Sequence, residues 1–343
     1  MLQYNITQFY RWGVGMNITT FFDFCSGIGA GRLGLEQCGM ESVGYSDTSR
    51  LSVTTYNLMH NTDNEKNYGN LKRIDGNNLP NYDLLIAGFP CQTFSVIGRK
   101  AGFDDSRGQI IFHLIRLLEE CQPKCFILEN VRGLVTHDKG ATIKKIVEEI
   151  NNIGFSVDYK VLTSLDYGVP QMRQRVYFVG FNRKFVSEET INSFQFPIPQ
   201  QQVPPLSDFL IDTDNELSQE SMERFERYLN NPTNQGKYKP EDFLDEEYLI
   251  IDTRMSDLRL YRGKVPTLRS QRDGIFYVKN RTIRDLTGYE ALLLQGFPKE
   301  YADKVKSVVT NRHLLLQSGN AMTVNVIKAL GTSVIDCLKR DET

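Results

Sequence analysis

Asp83-Leu84-Leu85-Ile86-Ala87-Gly88-Phe89-Pro90-Cys91-Gln92-Thr93-Phe94-Ser95 is the stretch whose reading decides the fold. Leu84 to Ala87 is a short apolar run with no polar alternation, as expected of a strand buried on both faces. Gly88 and Pro90 end it at once, which leaves Cys91 just past the carboxyl end of a strand. Open α/β sheets place their ligands in that position. The same grammar recurs downstream, where apolar Cys125 to Leu128 runs into Glu129-Asn130-Val131. Two strand ends thus present a thiol and a carboxyl group to one crevice. That pair suits nucleophilic attack on an electron-poor ring whose nitrogen is held by an acid.

Working outward, the first 180 residues alternate strand-like and helix-like segments, which predicts an α/β fold with a mostly parallel sheet and helices on both faces. Thr20 to Cys25 reads as the first strand, followed by a turn over Gly27-Ile28-Gly29-Ala30-Gly31 and a helix to Cys38. Ser42 to Ser46 is the second strand, ending at Asp47. Helical spacing is clear at Ile111, Leu114, Ile115 and Leu118, and at Ile143, Ile146, Val147 and Ile150. Arg175 to Gly180 is a further strand. After Phe181 the texture changes: residues 195–250 are rich in Pro, Gln, Asn and acid, with weak periodicity, and read as a linker or a loop-rich second unit. Helical pattern returns at Tyr289 to Leu294 and from Val324 to Leu338.

Composition sets outer bounds. The chain has 343 residues, 40% apolar and 24% charged, ordinary for a globular protein with an ample core. No apolar run is expected to reach the roughly 18 residues of a membrane span. Met1 to Met16 lack the apolar core of a signal peptide, and Met16 is a candidate alternative start. The six cysteines (Cys25, Cys38, Cys91, Cys121, Cys125, Cys337) fit no zinc spacing, so no metal is expected and a reduced, cytoplasmic compartment is the simplest reading. Net charge is −2, which alone argues against nucleic acid. Its distribution argues the other way. Arg254, Arg259, Arg262, Lys264, Arg269, Arg272, Lys279, Arg281 and Arg284 form a cationic block after an acidic segment from Glu216 to Glu247. Two solvated faces explain the same pattern.

The individual motifs leave alternatives open. The glycine turn permits close approach of a cofactor, yet Arg32 stands where a dinucleotide fingerprint has its third glycine, and a structural turn serves equally. Asp47 can hold a ribose hydroxyl pair or cap a helix. Cys91 is a reactive thiol or an inert buried one, and no histidine lies near it in sequence. Alternation puts Arg173 and Arg175 on one face, to hold a phosphate, orient Glu129, or join a strand-edge salt bridge. Asn320, in Gly319-Asn320-Ala321, is expected to cap the last helix, bind a ligand, or both.

Taken together and in order, these segments resemble the DNA (cytosine-5) methyltransferases of bacterial restriction–modification systems. The resemblance covers almost the whole chain. It rests on Asp23-Phe-Cys-Ser-Gly-Ile-Gly29, Gly88-Phe-Pro-Cys-Gln92, Glu129-Asn-Val131, Asp166-Tyr-Gly-Val-Pro-Gln171 with Arg173 and Arg175, Gln295-Gly-Phe-Pro298, and Gly319-Asn320. It implies a Rossmann-like, S-adenosylmethionine-dependent fold, with residues 1–184 and 305–343 as catalytic domain and 185–304 as target-recognition domain. Cys25, Ser26, Gly27, Gly29, Asp47, Thr48, Asn70, Leu71, Pro90, Ile110, Asn320 and Ala321 are the implied cofactor contacts. Cys91 is the implied nucleophile toward carbon 6 of a flipped-out cytosine, with Glu129 protonating ring nitrogen 3. Arg175 would hold the ring carbonyl, Arg173 would order the site, and Asn130 would support the loop.

The implied DNA contacts are Gln92, Ser95, Arg99 and Arg107 in a closing loop, and Thr267, Leu268, Arg269 and Arg272 in the recognition region. Double-stranded DNA is the implied partner, with a restriction endonuclease as functional companion, no membrane, and a monomeric protein in the bacterial cytoplasm. The chain departs from the family pattern at Cys25, where an aromatic is usual, at Asp47 for Glu, at Asn70 for Asp, and at Gly288-Tyr289-Glu290 for Pro-Arg-Glu. Asn70 implies weaker cofactor binding. An RNA cytosine-5 methyltransferase of the same fold and an inactive DNA-binding homologue are the alternatives. Adenine amino-methylation is disfavoured, because Pro204-Pro205 is followed by Leu206 and no Asn-Pro-Pro-Tyr-type motif occurs.

Overall fold

The computed structural model describes residues 18–90, 110–200, 202–211, 217, 219–270 and 274–339. Strand β1 (Thr20–Phe24) leads through a tight turn into helix α1 (Ala30–Glu36), then β2 (Glu41–Ser46) and α2 (Arg50–His60). Strand β3 (Leu84–Gly88) precedes α3 (Ile110–Cys121), β4 (Cys125–Val131) and α4 (Ala141–Asn152). A long β5 (Phe155–Thr163), a two-residue β6 (Gln171–Met172) and β7 (Gln174–Asn182) follow. The main sheet has the order β2-β1-β3-β4-β7-β5. β7 is antiparallel to both β4 and β5, so it alone runs against the other five strands. The expected mostly parallel α/β sheet is therefore present.

Alternation builds two cores from one sheet. In β3, Leu84 and Ile86 face one cluster while Leu85 and Ala87 face the other. In β4, Cys125 and Ile127 join the first, Phe126 and Leu128 the second. The first face is covered by Leu33 and Leu35 of α1 and by residues near the C-terminus, the second by Ile111, Leu114 and Leu118 of α3 and Ile143, Ile146 and Ile150 of α4. The helical apolar spacings read from sequence thus point at the sheet.

Helix α5 (Glu188–Ser193) starts behind Ser187, whose hydroxyl accepts from the Thr190 amide. Helix α6 (Gln219–Leu229) then precedes a second sheet made of β8 (Ile250–Asp252), β9 (Arg259–Tyr261), β11 (Ile275–Lys279) and β12 (Thr282–Asp285), all antiparallel in the order β12-β11-β8-β9. Between them β10 (Val265–Pro266) pairs in parallel with β6 and ties the smaller sheet to the main body. The smaller unit has its own core, where Phe225, Phe243, Ile251, Phe276 and Ile283 meet.

The chain closes with α7 (Gly288–Leu293), α8 (Lys299–Val305), α9 (Asn311–Asn320) and α10 (Val324–Lys339). Leu292, Leu293, Phe297, Ala302 and Val305 pack in the same cluster as α10. Ala291 of α7 and Leu294 just past it pack instead with Ile250, Ile275 and Tyr277 of the smaller sheet, so α7 touches both cores on the recognition side of the division expected at 304/305. The stretch Asn311–Lys339 is also long and apolar enough to cross a membrane, contrary to the sequence expectation. It is two helices interrupted at 321–323, and Ile327, Leu330, Val334 and Leu338 are spent on the core.

Candidate active site

The crevice opens where the parallel strands end. Gly88 lies in register with Glu129, and the Phe89 amide donates to the Glu129 carbonyl at 3.2 Å. Asn130 Nδ2 donates to the Phe89 carbonyl at 3.0 Å, and its Oδ1 accepts from the Val131 amide. The segment entering Pro90 and Cys91 is thus held from both sides by the Glu129-Asn130 pair. Cys91 itself lies outside the described residues, as do Gln92, Ser95, Arg99, Arg107 and Arg272.

Glu129 is 6% exposed. Arg175 Nε stands 2.9 Å from Glu129 Oε1, a charge contact without the alignment of a hydrogen bond, so this oxygen has no directed donor among the described residues. Burial pushes the Glu129 carboxyl up, against the pull of Arg175 and then Arg173. A carboxyl held toward its protonated form beside two fixed cations can give a proton to a ring nitrogen and then be stabilised as the anion.

Arg173 and Arg175 do different work. Arg175 donates Nη1 to the Gln174 carbonyl and turns Nε to Glu129. Arg173 precedes β7 and is 1% exposed. Its Nη1 donates to the Leu268 carbonyl (3.1 Å), both Nη1 and Nη2 reach the Gly319 carbonyl (3.2 Å), and Nη2 donates to the Ala321 carbonyl (2.7 Å). Burial, then the charge of Arg175, bring its guanidinium down to about 9. Arg173 therefore joins the smaller unit to the C-terminal helices under the site.

Sequence reasoning named motifs here without seeing their clamp. Gln171 accepts from the Leu268 amide and donates to the Leu294 carbonyl. Gln295 donates to the Ser318 carbonyl and accepts from Thr323 Oγ1. Thr267 Oγ1 donates to the Met172 carbonyl at 2.6 Å. The dipeptide Thr267-Leu268 is thus held by bonds that each join a side chain to a main-chain group. Gly319 lies so close that any side chain there overlaps the Ser270 backbone. Asn320 ends α9 and is exposed, so it does not cap α10, which begins four residues farther on at Val324.

The cofactor loop is a run of left-handed backbone. Cys25 (φ 52), Gly27 (φ 57) and Gly29 (φ 82) all take positive φ. Open space surrounds the place of a Gly27 Cβ, whereas one on Gly29 would overlap the His60 ring. Gly27 therefore leaves room for a ligand, and Gly29 lets α1 pack on α2. Asp47 Oδ2 accepts from the Gly27 amide (2.9 Å) and Oδ1 from the Ser49 amide (2.7 Å). Asn67, missed from sequence, holds Asp47 from both sides: its Oδ1 accepts from the Asp47 amide and its Nδ2 donates to the Asp47 carbonyl.

Ser26 Oγ and Ser46 Oγ are buried with no hydrogen-bond partner among the described residues. An open glycine cradle beside orphaned hydroxyls and a fixed carboxylate fits a polar ligand bearing a ribose. Burial pushes the Cys25 thiol up to about 12, so it lines the loop as a neutral group. Thr48, Asn70 and Pro90 are exposed at the same sheet edge, Ile110 is half-buried at the start of α3, and Leu71 is buried in the core beneath. Asn70 Oδ1 already accepts from the Lys72 amide, capping a short helical turn. Ala321 is buried and meets the site through its carbonyl on Arg173.

Asp23, in the middle of this edge, is fully buried. Its Oδ2 accepts from the Arg32 amide while Oδ1 has no partner among the described residues, and burial pushes the carboxyl up from 3.8 to about 8. The folded protein thus keeps a proton that the unfolded chain releases above pH 4. This penalty is absent below pH 4, grows as pH rises, and levels off past 8. Asp23→Asn removes the titration and keeps an acceptor. Urea unfolding at pH 5.5, 7 and 8.5 is expected to show the variant gaining on wild type as pH rises; parallel curves would contradict the assignment.

The cationic block resolves into spent and available charges. Arg254 forms a buried two-point pair with Asp252 (Nε–Oδ1 2.7 Å, Nη2–Oδ2 3.0 Å) and donates to the Thr267 carbonyl. Arg262 pairs with Glu246, Arg281 with Asp245, and Lys279 donates to the Leu210 carbonyl. Arg259 and Arg269 are exposed.

Comparison with known proteins agrees with this geometry. Residues 19–336 match the model of the C-5 cytosine-specific DNA methylase family. The chain is 34% identical to the type II methyltransferase M.NgoBI of Neisseria gonorrhoeae over 327 residues, covering 90% of each. It is 31% identical to the type II methyltransferase M.HhaI of Haemophilus parahaemolyticus, covering 92% of this chain and 93% of that one. Among solved structures, the Entamoeba histolytica methyltransferase EhMeth superposes with a TM-score of 0.65 at 16% identity, covering 96% of this chain and 100% of that one. The S. pombe Dnmt2 methyltransferase gives 0.60 at 17%, covering 95% and 99%. These two establish likeness of fold.

Proposed function

The chain belongs to the C-5 cytosine-specific DNA methylase family and transfers methyl groups to carbon 5 of cytosine in DNA; from that premise we propose that it does so at one short double-stranded sequence, on a flipped-out base, through a covalent Cys91 adduct. The observation that carries this reading is the buried Glu129–Arg175 contact in register with Gly88, three residues before Cys91. Cys91 as thiolate adds to carbon 6, and Glu129 delivers a proton to nitrogen 3. Carbon 5 then becomes the nucleophilic end of an enamine. Loss of the proton from carbon 5 after methylation expels Cys91. Arg175 holds Glu129 and stands by for the ring carbonyl, and Arg173 and Asn130 keep the segments around the base in place.

We propose S-adenosylmethionine as donor; when bound, it supplies an electrophilic methyl group. Ser26, Gly27 and Asp47 would hold it, with Cys25, Gly29, Thr48, Asn70, Leu71, Pro90, Ile110, Asn320 and Ala321 forming the surround. The smaller unit, β8 to β12 with α6, is assigned to target recognition, and α7 (Gly288–Leu293), which packs on both cores, to the junction between the two units. We further propose a monomer in the bacterial cytoplasm, working beside a restriction endonuclease, since its relatives carry the name type II methyltransferase.

Bisulfite sequencing of plasmid from cells expressing the chain is the direct test. Protected cytosines confined to one short context are expected. Protection of no plasmid cytosine by soluble, well-expressed protein would overturn the reading, and protected cytosines in cellular RNA would move the substrate there.

A further inference from the structure

Met322 stands in the short break between α9 and α10, and both of its chain neighbours are pinned. The Ala321 carbonyl accepts from Arg173 Nη2 at 2.7 Å, and Thr323 Oγ1 bonds Gln295 Oε1 and Ser164 Oγ. The backbone therefore fixes where the Met322 side chain goes. It is 5% exposed and joins the first core cluster under the parallel strands.

Two glycines make room for it. A Cβ on Gly31, in α1, would lie 2.8 Å from Met322 Cε and 3.2 Å from Asp23 Oδ1. One on Gly88, at the end of β3, would lie 3.4 Å from Met322 Cγ, 3.5 Å from its Sδ and 3.5 Å from Glu129 Oε2. The tip of the thioether thus lies beside the Asp23 carboxyl and its middle beside that of Glu129. Both acids point from the same face of the sheet, since Asp23 is in register with Ile86 and Glu129 with Gly88, two residues on. Both are buried, and Asp23 Oδ1 and Glu129 Oε1 have no hydrogen-bond partner among the described residues. An unbranched apolar side chain therefore separates the carboxyl before the glycine turn from the carboxyl of the catalytic crevice.

We propose that Met322 is a positioning residue for methyl transfer: its thioether keeps water out of the space between Gly31 and Gly88, so that Glu129 meets the flipped base with no solvent path toward the glycine turn. The inference rests on the reading of Glu129 as proton donor given above. Water enters a buried space when polar atoms line it and there is room. Here two carboxyl groups supply the polar lining and the methionine takes the room, its flexible chain filling an irregular gap. Burial is the first cause of the upward push on each carboxyl. Arg175 and Arg173 face Glu129 and oppose that push, with the Tyr177 phenol close by. Arg32 opposes it at Asp23, where Asp47 and Glu36 reinforce it and Cys25 and Tyr56 also feel the charge.

The test compares wild type with Met322→Leu, Met322→Ala and Met322→Gln by two readouts: the pH profile of single-turnover methylation, and urea unfolding at pH 5.5, 7 and 8.5. Leucine keeps the space dry and is expected to keep both wild-type patterns. Alanine admits water, and its alkaline limb is expected to move down by about one pH unit, because a hydrated Glu129 gives up its proton sooner. Its stability deficit is expected to narrow as pH rises, because a hydrated Asp23 costs the folded state less once the unfolded chain has ionised. Glutamine has nearly the volume of methionine and brings a donor amide to Asp23 Oδ1. It is expected to gain on wild type from pH 5.5 to 8.5 even if the alanine protein does not fold.

Alanine losing the same stability at every pH, with its alkaline limb in place, would show packing alone and overturn the proposal. So would glutamine unfolding in parallel with wild type, or leucine displacing the limb as far as alanine. A wild type with no alkaline limb would instead sink the reading of Glu129 as proton donor. The unfolding comparison, which needs no DNA, would still decide whether Met322 keeps the space dry.

Discussion

Cys91→Ala is expected to abolish methylation while duplex and cofactor binding persist. Without a thiol no covalent bond to carbon 6 forms, and the cytosine ring is too poor a nucleophile at carbon 5 to accept a methyl group unaided. Alanine is nearly isosteric, and the segment's anchor precedes it in the Asn130 contact with Phe89, so folding is expected to survive. Duplex carrying 5-fluorocytosine at the target sharpens the test. Fluorine cannot leave as the proton does, so the adduct accumulates and wild type is expected to stay bound to DNA through denaturing electrophoresis. A covalent complex formed equally well by the alanine variant would remove Cys91 from the mechanism.

Glu129→Gln carries the second large effect, a fall of about 10² to 10⁴ in single-turnover methylation, the range lost with a positioned proton donor. Glutamine keeps the volume and can still touch nitrogen 3, but has no proton of the required acidity and leaves Arg175 without a counter-charge. Because burial raises the Glu129 carboxyl, its protonated form persists to higher pH than an ordinary glutamate, and the wild-type rate is expected to fall as pH rises through that value. The residual rate of the variant is expected to lack this limb. An unchanged pH profile in the variant would show that another group delivers the proton.

Much of the catalytic sheet was legible because its strands are buried on both faces, so that Leu84 to Ala87 and Cys125 to Leu128 are short unbroken apolar runs, the first ended at once by Gly88 and Pro90. The turn at Gly27 was legible for a related reason, since few residues tolerate positive φ. The smaller unit was not. Helix α6 buries Phe225 and Leu229 against its sheet along a sequence otherwise crowded with Glu, Arg and Gln, and that polarity hid its period. The cations were visible but their availability was not: Arg281 meets Asp245 from 36 residues away, a pairing that only the folded chain creates. Asn320 looked like a cap because it comes just before the last helix, yet the helix it belongs to is the one it ends. The closing helices α7 and α8 were grouped with the recognition unit by position, although α8 buries Ala302 and Val305 in the catalytic core and α7 divides its apolar side chains between the two cores.

The carbonyls that Arg173 bonds lie 95, 146 and 148 residues further along the chain. During synthesis the guanidinium therefore emerges long before any of its acceptors. Until residues 319–321 leave the ribosome, Arg173 faces burial with its donors unmet, a state that costs too much to populate. The catalytic crevice then closes as one of the last events of folding rather than growing strand by strand, with the slow kinetics of contacts distant in sequence. A nascent chain that already holds Glu129 and Arg175 is accordingly expected to stay silent toward DNA until residues 319–321 have emerged, which couples the onset of activity to the arrival of the Arg173 acceptors.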